Sequence, residues 1–359
     1  MIIARYLNKE VFKAMLVVLI VLLLLFIGQR FVQYLTDVAQ GHISSELVSK
    51  LLLLQIPVFV SYLLPLSLFL AILISLGKLH TDSEMTIISA CGISNRQVLR
   101  YFMPLVFILT VLTGYLTLFQ APFAIYAQQQ LIKEQEIKGD LSLLTAGHFQ
   151  QTADGKKIIY VENITNDNLL EGIFFVEQNN EKDYQFSLIV SDKGRYWNDE
   201  SQQNFLILEN GNQYRGSPGS SKLQTVEFER YFMALKKVSR NVTERKIKGR
   251  STLELLTDLT LSDQAELQWR LAAPLSIPLL VLLALPLARV PPRQGKFAQL
   301  LPGLLIYIIY MILLITARNA IENAKILPWM GTWWIHLALL GYGISEFTHR
   351  KWLRFFIFK

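Results

Sequence analysis

The stretch AMLVVLIVLLLLFIGQ, residues 14–29, contains no charged side chain. Five more uncharged stretches follow it, at residues 51–76, 101–132, 271–288, 297–317 and 326–345. A helix needs roughly 20 apolar residues to cross the bilayer core, so each stretch can supply one span. The sequence therefore predicts six transmembrane helices, three on each side of a polar insert.

Basic residues in the short loops predict the orientation of these spans. If both termini share one side, that side receives thirteen Lys and Arg side chains, and the other side receives three. The thirteen are Arg5, Lys9, Lys13, Lys78, Arg96, Arg100, Arg289, Arg293, Lys296, Arg350, Lys351, Arg354 and Lys359. The positive-inside rule places both termini in the cytoplasm and the insert outside. These loops explain the net charge of +7, which therefore gives no indication of nucleic-acid binding.

The polar insert shows a period of two, which is typical of strands. Six candidate strands lie at residues 147–151, 157–163, 172–178, 186–196, 205–209 and 223–232. Ala-Asp-Gly at 153–155 and Glu-Asn-Gly at 209–211 supply turn chemistry. Short strands without intervening helices favour an antiparallel sandwich, a jelly roll or an open barrel. Such a domain either caps the membrane surface or forms a groove for something that leaves the membrane, and composition leaves both open.

Residues that carry chemistry are scarce in the predicted spans. His336 is the one ionisable side chain well inside a stretch, whereas ion-coupled carriers usually place carboxylates near the midplane. GNQYRGS at 211–217 lacks the Gly-Lys-Ser/Thr ending of a phosphate-binding loop, and the histidines form no His-Glu-x-x-His motif. The single cysteine, Cys91, excludes a disulfide framework. The sequence thus predicts a transport subunit without catalytic residues or a metal site, powered by another protein.

The loop between the second and third spans predicts where such a protein docks. Thr81-Asp82-Ser83-Glu84 fits a capping box, in which the Thr hydroxyl and the Glu carboxylate bond the first turn. A short helix is expected to follow, with Met85, Ile88 and Cys91 on one face, and to end at Gly92. The cap pattern then repeats at residues 94–97 and opens the third span. Capping alone explains Glu84 as well as a docking role does.

Several segments in order resemble the lipopolysaccharide export permeases. They are MIIARYL (1–7), LPLSLFL (64–70), LGKLHTDSEM (76–85), SACGIS (89–94), AGHFQQ (146–151), AELQWR (265–270) and PRQGK (292–296). The resemblance covers nearly the whole chain, and it is closer to the F-type than to the G-type subunit. It implies a permease that extracts lipopolysaccharide from the outer leaflet of the Gram-negative inner membrane and passes it through a periplasmic β domain.

The resemblance also implies the partners of the chain. These are a paralogous G-type permease subunit, a dimer of cytoplasmic ABC ATPase subunits that binds ATP and Mg, a single-span β-jellyroll partner and a periplasmic bridge protein. It further implies that the helix after the second span couples to the ATPase through Glu84, with Asp82 beside it. This chain itself is then expected to hold no cofactor.

Two arginines are candidates for binding the phosphates of an anionic glycolipid. Arg30 follows the first uncharged stretch, and its guanidinium could bind phosphate bidentately. An interfacial arginine that reaches towards water is the simpler explanation. The resemblance assigns basic residues on the first helix to this role, but the second such position is Gln33 here. Arg318, just past the fifth stretch, is a weaker candidate, since solvation in a loop explains it almost as well.

The expected fold is a polytopic α-helical membrane protein with six transmembrane helices and an inserted, antiparallel, β-jellyroll-like periplasmic domain. Its predicted parts are an interfacial helix at 1–13, spans one to three at 14–125 with a coupling helix at about 81–92, the periplasmic domain and linkers at 126–265, spans four to six at 266–347, and a basic tail at 348–359. Two other functions fit the same layout. One is a membrane sensor whose β domain binds an external ligand, and the other is a mechanotransmitting permease that carries no lipid.

Overall fold

The computed structural model describes residues 2–39, 43–138, 146–151, 157–165, 169–178, 186–198, 204–217, 223–235, 247–258, 260–289 and 299–348. The chain divides into two compact units. The first unit contains Met1–Arg30, Leu51–Gln129 and Thr243–Lys359, and the second contains Phe31–Lys50 and Gln130–Val242. The predicted basic tail lies almost wholly outside the described residues.

Nine helices are assigned among the described residues. They are α1 (Ile2–Ala39), α2 (Ser45–Thr81), α3 (Glu84–Ala90), α4 (Asn95–Tyr115), α5 (Ala121–Lys138), α6 (Thr252–Asp258), α7 (Leu261–Leu287), α8 (Leu300–Glu322) and α9 (Trp333–Thr348). A π-helical turn, Leu116–Gln120, joins α4 to α5 without a break. Within the described part of the chain, α1, α2, the continuous helix 95–135, α7 and α8 are long and apolar enough to cross a membrane. Helix α9, with 16 residues, occupies the sixth predicted stretch but is shorter than a typical span.

Helix α1 begins in the segment where a separate interfacial helix was expected. Leu7, Val11 and Met15 recur every four residues and are buried in one cluster with side chains of α2, α4, α7 and α8. The Asn8 amide also donates to the Tyr101 carbonyl at 2.7 Å. Residues 2–13 are therefore the first turns of one continuous helix, packed on the chain's own core. Further along α1 the apolar side chains turn outward, with Leu24 65% exposed.

The connection between α2 and α3 differs from the predicted capping box. Thr81 is the last residue of α2, and its hydroxyl donates to the Gly77 carbonyl at 2.8 Å. Ser83 is the N-cap residue of α3 in a left-handed conformation (φ 62°), and its side chain makes no capping hydrogen bond. The predicted box is therefore wrong, because a threonine within a helix can bond its hydroxyl to the preceding turn.

The second predicted cap and the predicted end of α3 are both confirmed. The Ser94 side chain accepts from the Gln97 N–H, and the Gln97 side chain accepts from the Ser94 N–H at 2.7 Å. Gly92 has φ 86°, and the Ile93 N–H donates to the Ile88 carbonyl at 3.3 Å, as in a Schellman motif. The α3–α4 connection is thus fixed by backbone hydrogen bonds at Gly92 and by hydrogen bonds between side chain and backbone at Ser94.

The second unit contains a six-stranded antiparallel sheet, with the strands in chain order. They are β1 (Phe149–Gln151), β2 (Lys157–Ile164), β3 (Leu169–Gln178), β4 (Phe186–Asn198), β5 (Asn204–Gly216) and β6 (Gln224–Leu235). The predicted antiparallel β domain is confirmed, and its described strands follow one another as a meander. The turn predicted at Glu209-Asn210-Gly211 is wrong, because these residues lie inside β5. The turn predicted at 153–155 falls outside the described residues.

A row of residues across the sheet explains that wrong turn. Gly172 (φ 62°) and Asn210 (φ 53°) are left-handed, and they align with Glu162, Asp192 and Glu229 on the neighbouring strands. The described ladders pair the residues on either side of this row but not the row itself. Left-handed residues are found where a strand changes direction, so Asn-Gly here marks a bend and not a chain reversal.

The bend allows both halves of the sheet to share one core. On β3 the buried side chains are Leu170 on one side of the row and Ile173 and Phe175 on the other. The alternation of buried positions therefore shifts by one residue at the bend, which exchanges the two faces of the strand. Side chains from both halves nevertheless belong to one cluster: Val161, Leu170, Ile173, Phe175, Ile189, Leu206, Leu208 and Met233.

Candidate functional site

The first part of the candidate site is helix α3. Glu84 is its first residue, and the carboxylate accepts a hydrogen bond from the Tyr6 hydroxyl at 2.8 Å. Asp82 lies in the preceding turn with an exposed side chain, and its N–H donates to the Lys78 carbonyl. The structure thus places the Glu84 carboxylate in contact with Tyr6 near the start of α1. In the predicted cap, the same carboxylate would have bonded to the backbone of its own helix.

The two faces of α3 have different surroundings. Met85 is 4% exposed and Ile88 packs against the same core, as the sequence predicts. Cys91, which was expected on that face, is exposed. Ile87 is 63% exposed on the opposite face. An exposed isoleucine next to Glu84 and Asp82 gives α3 one apolar and two acidic groups with which to contact another protein.

The second part of the candidate site is Arg30 on α1. Its side chain is half-buried, whereas Gln33, one turn later, is exposed. Arg30 follows sixteen helical positions of α1 that carry no charge, so the helix places a guanidinium at the end of its apolar part.

The structure places Arg318 in a network of buried charges. Its Nη2 lies 2.8 Å from Glu266 Oε2 on α7, and its Nε donates to Glu322 Oε1 at 2.9 Å. The guanidinium also lies over the indole ring of Trp269, 5.4 Å from the ring centroid. Only 14% of the Arg318 side chain is exposed. Two carboxylates therefore pair with this arginine within the chain, which differs from the solvated loop position that was the alternative to phosphate binding.

Arg270 is the other cation of this network. Its side chain is 2% exposed, and its Nε donates to Glu266 Oε1 at 3.0 Å. Glu266, itself 4% exposed, thus carries two arginines, one from its own helix and one from α8. A buried charge persists only when it is paired and hydrogen-bonded, and each charge of the network meets that condition.

Sequence reasoning missed Glu266 and Arg270 as site residues. Both residues precede the uncharged stretch at 271–288, so the sequence did not place them on the fourth span. The helix α7 in fact begins ten residues before that stretch, at Leu261. The signal was nevertheless present: Glu266–Arg270 and Arg318–Glu322 are both spaced i, i+4, with opposite charges. The spacing does not predict the contact of Arg318 with Glu266, because that contact requires α7 and α8 to lie side by side.

His336 is a core histidine in the structure. It is 7% exposed, and its Nδ1 lies 2.9 Å from the Tyr310 hydroxyl on α8. Nearby, an apolar cleft among α2, α7 and α8 is lined by Tyr62, Trp269 and Tyr307, among others. The Trp269 indole N–H donates to the Tyr62 hydroxyl at 3.0 Å. The network of charges therefore borders an apolar, aromatic surface within the helical unit.

Comparison with known proteins identifies relatives that match most or about half of this chain. The LptF permease protein of the lipopolysaccharide export system of Escherichia coli (strain K12) is 27% identical over 344 residues, which are 96% of this chain and 94% of that protein. The LptF protein of Shigella flexneri matches with the same figures. The LptG permease protein of E. coli K12 is 28% identical over 169 residues, 47% of this chain and 46% of that protein.

A family model also matches nearly the whole chain. The model described as lipopolysaccharide export system permease LptF/LptG matches residues 5–348. This range includes all the described helices and strands except the first turn of α1. The resemblance inferred from the sequence is thereby confirmed, as is the expectation of a permease subunit and not an enzyme. The chain belongs to the lipopolysaccharide export system permease LptF/LptG family.

Proposed function

We propose that this chain is the F-type permease subunit of an ATP-driven transporter that removes lipopolysaccharide from the membrane. The family match over residues 5–348 carries this proposal. The F-type assignment is supported by the length of the matches, because the LptF relative covers 96% of the chain and the LptG relative 47%. The chain then pairs with a G-type subunit, and lipid leaves through its β domain towards the bridge protein.

The location follows the distribution of basic residues. The protein resides in the inner membrane of a Gram-negative bacterium, with both termini in the cytoplasm and the β domain in the periplasm. In this orientation α3 faces the cytoplasm. A single-span β-jellyroll partner is expected on the periplasmic side.

Energy enters through helix α3. ATP and Mg are bound by a dimer of partner ATPase subunits, and those subunits contact Glu84, Asp82 and the exposed Ile87. The hydrogen bond from Tyr6 to Glu84 supports this assignment, because it holds the carboxylate in place at the start of α3. Met85 belongs to the same buried cluster as side chains of α2 and α4. Because this core is closely packed, displacement of α3 by the ATPase is transmitted to both helices.

Lipid phosphate is bound chiefly by Arg30. Its place at the end of the apolar part of α1 supports this role, since a guanidinium there meets headgroups while the acyl chains stay in the bilayer. Arg318 was the second candidate, and its two carboxylate partners reduce its capacity to bind an anion. We therefore assign it a secondary part in phosphate binding.

Co-expression with the partner permease and the ATPase tests the proposal. Native mass spectrometry of the purified complex is expected to show one copy of this chain, the second permease, two ATPase subunits and bound lipopolysaccharide. Glu84→Ala is expected to weaken ATPase retention or to uncouple ATP turnover from lipid release. Glu46→Ala is the matched control, because Glu46 is also a first-turn glutamate but is exposed and lies at the opposite end of α2. Normal assembly and normal export by Glu84→Ala would refute the coupling role.

A further inference from the structure

Residues 247–258, here called the return segment, precede α7 and include α6. The guanidinium of Arg270 holds the start of this segment. Its Nη2 donates to the carbonyls of Lys248 (3.1 Å) and Arg250 (3.0 Å), and its Nη1 donates to the Thr252 hydroxyl (3.1 Å). Within the described residues, three of the four hydrogen bonds that this buried side chain donates thus go to the return segment, and the fourth goes to Glu266.

Thr252 connects the return segment to a second helix. Its hydroxyl accepts from Arg270 and donates to the carbonyl of Leu118 in the π-helical turn. A hydroxyl has one donor and two acceptor sites, so Thr252 can make both bonds at once. Thr252 therefore bridges α7 and the turn between α4 and α5.

The return segment lies close to a helix on each side. Arg250 Nη1 lies 3.3 Å from Asp263 Oδ1 near the start of α7, and Asp263 is 1% exposed. On the other side, a Cβ added at Gly249 would lie 2.9 Å from the side-chain oxygen of Gln129 on α5. The return segment thus lies between α7 and α5, and Thr252 joins it by hydrogen bonds to Arg270 on α7 and to the π-helical turn that precedes α5.

Helix α7 and the π-helical turn each carry a feature that permits movement. Helix α7 contains three prolines, Pro274, Pro278 and Pro286, each of which removes a backbone hydrogen bond. The π-helical turn is a local departure from α-helical geometry of the kind often found at functional sites. A bend at any of these points would change the distance between Arg270 on α7 and Leu118 in the π-helical turn.

We propose that Thr252 and Arg270 are positioning residues for transport. Through their hydrogen bonds, movement of α7 relative to the π-helical turn changes the position of the return segment. This inference rests on the proposed function. In chain order the return segment follows β6 and residues 236–246. Movement in the membrane helices therefore displaces the return segment, in step with the ATPase cycle.

The test compares threonine variants in proteoliposomes that contain the full complex. Thr252→Val removes the hydroxyl at nearly constant volume, and Thr252→Ser restores it. Thr257→Val is the matched control, because this threonine lies on the same short helix and its hydroxyl donates only to the Glu254 carbonyl one turn back. The readouts are lipopolysaccharide released per ATP hydrolysed and hydrogen exchange at residues 116–120 and 247–252.

Thr252→Val is expected to lower lipid released per ATP about three- to tenfold, the range that corresponds to a hydrogen bond between helices. It is also expected to speed hydrogen exchange in both segments, whereas Thr252→Ser and Thr257→Val match the unchanged protein. An unchanged ratio in Thr252→Val, or an equal loss in Thr257→Val, overturns the proposal. If the unchanged complex releases no lipid, the proposed function fails, and hydrogen exchange alone decides whether Thr252 positions the two segments.

Discussion

Replacing Glu266 by glutamine tests the buried network in the helical unit. The carboxylate is 4% exposed and carries Arg270 at 3.0 Å and Arg318 at 2.8 Å. Removing one partner of a buried ion pair typically costs about 3–5 kcal/mol. Arg270 keeps three other hydrogen bonds and Arg318 keeps Glu322, so we expect the lower end of that range, about 3 kcal/mol.

Equilibrium unfolding in mixed micelles, with the detergent SDS as denaturant, measures this loss of stability. The matched control is Glu10→Gln, whose carboxylate pairs with Lys13 at 3.4 Å at a site where the lysine is 61% exposed. An exposed pair of this kind contributes about 0–1 kcal/mol. If Glu266→Gln and Glu10→Gln lower the free energy of unfolding by the same amount, the network does not stabilise the fold as argued.

A double variant separates the interaction energy of Glu266 and Arg318 from the effect of changing either buried side chain alone. Arg318→Met in the Glu266→Gln background removes the cation that the glutamine no longer neutralises. Residues in one ion-pair network usually couple by about 0.5–3 kcal/mol, so the double variant should be less destabilised than the sum of the single variants. Strict additivity would show that Glu266 and Arg318 act independently.

Three further predictions concern the connections and the sheet. Ser94→Ala should lower the free energy of unfolding by about 1 kcal/mol through loss of its capping bond, whereas Ser83→Ala, which loses no such bond, should be nearly neutral in the same SDS titration. Gly172→Ala should lower the free energy of unfolding of the β domain by about 1–2 kcal/mol or more. The reason is that φ is 62° and the new Cβ would clash with the Glu162 carboxylate. Limited proteolysis should then cut the β domain faster. Tyr6→Phe should weaken retention of the ATPase in co-purification several-fold without unfolding the protein, because it frees the Glu84 carboxylate.

The positions of the helices could be predicted from the sequence because the bilayer sets a length that a run of apolar residues reveals. The exact ends could not. Thr81 and Glu84 have the spacing of a capping box, but α2 continues through Thr81. Local pattern does not say which of two competing hydrogen bonds a threonine will make. At Ser94 no helix competes for the hydroxyl, and the same reasoning was correct.

The sheet and the charged network show a different limit. The period of two located all six strands, but Asn210-Gly211 was interpreted as a turn because the same residue types serve chain reversals and bends in a strand. Arg318 was a weaker candidate for binding phosphate, and its pairing with Glu266 was missed because Glu266 is 52 positions away in sequence and lies on another helix. Such a contact depends on helix packing, which a single sequence does not specify.

The most direct test of the proposed function is ATP-dependent transfer of lipopolysaccharide from proteoliposomes that contain this chain, the second permease and the ATPase. We expect lipid to be released to the periplasmic bridge protein only when ATP is hydrolysed, and release to fall with Glu84→Ala but not with Glu46→Ala. Release that is independent of ATP, or an assembled complex that hydrolyses ATP without releasing lipid, would contradict the proposed function.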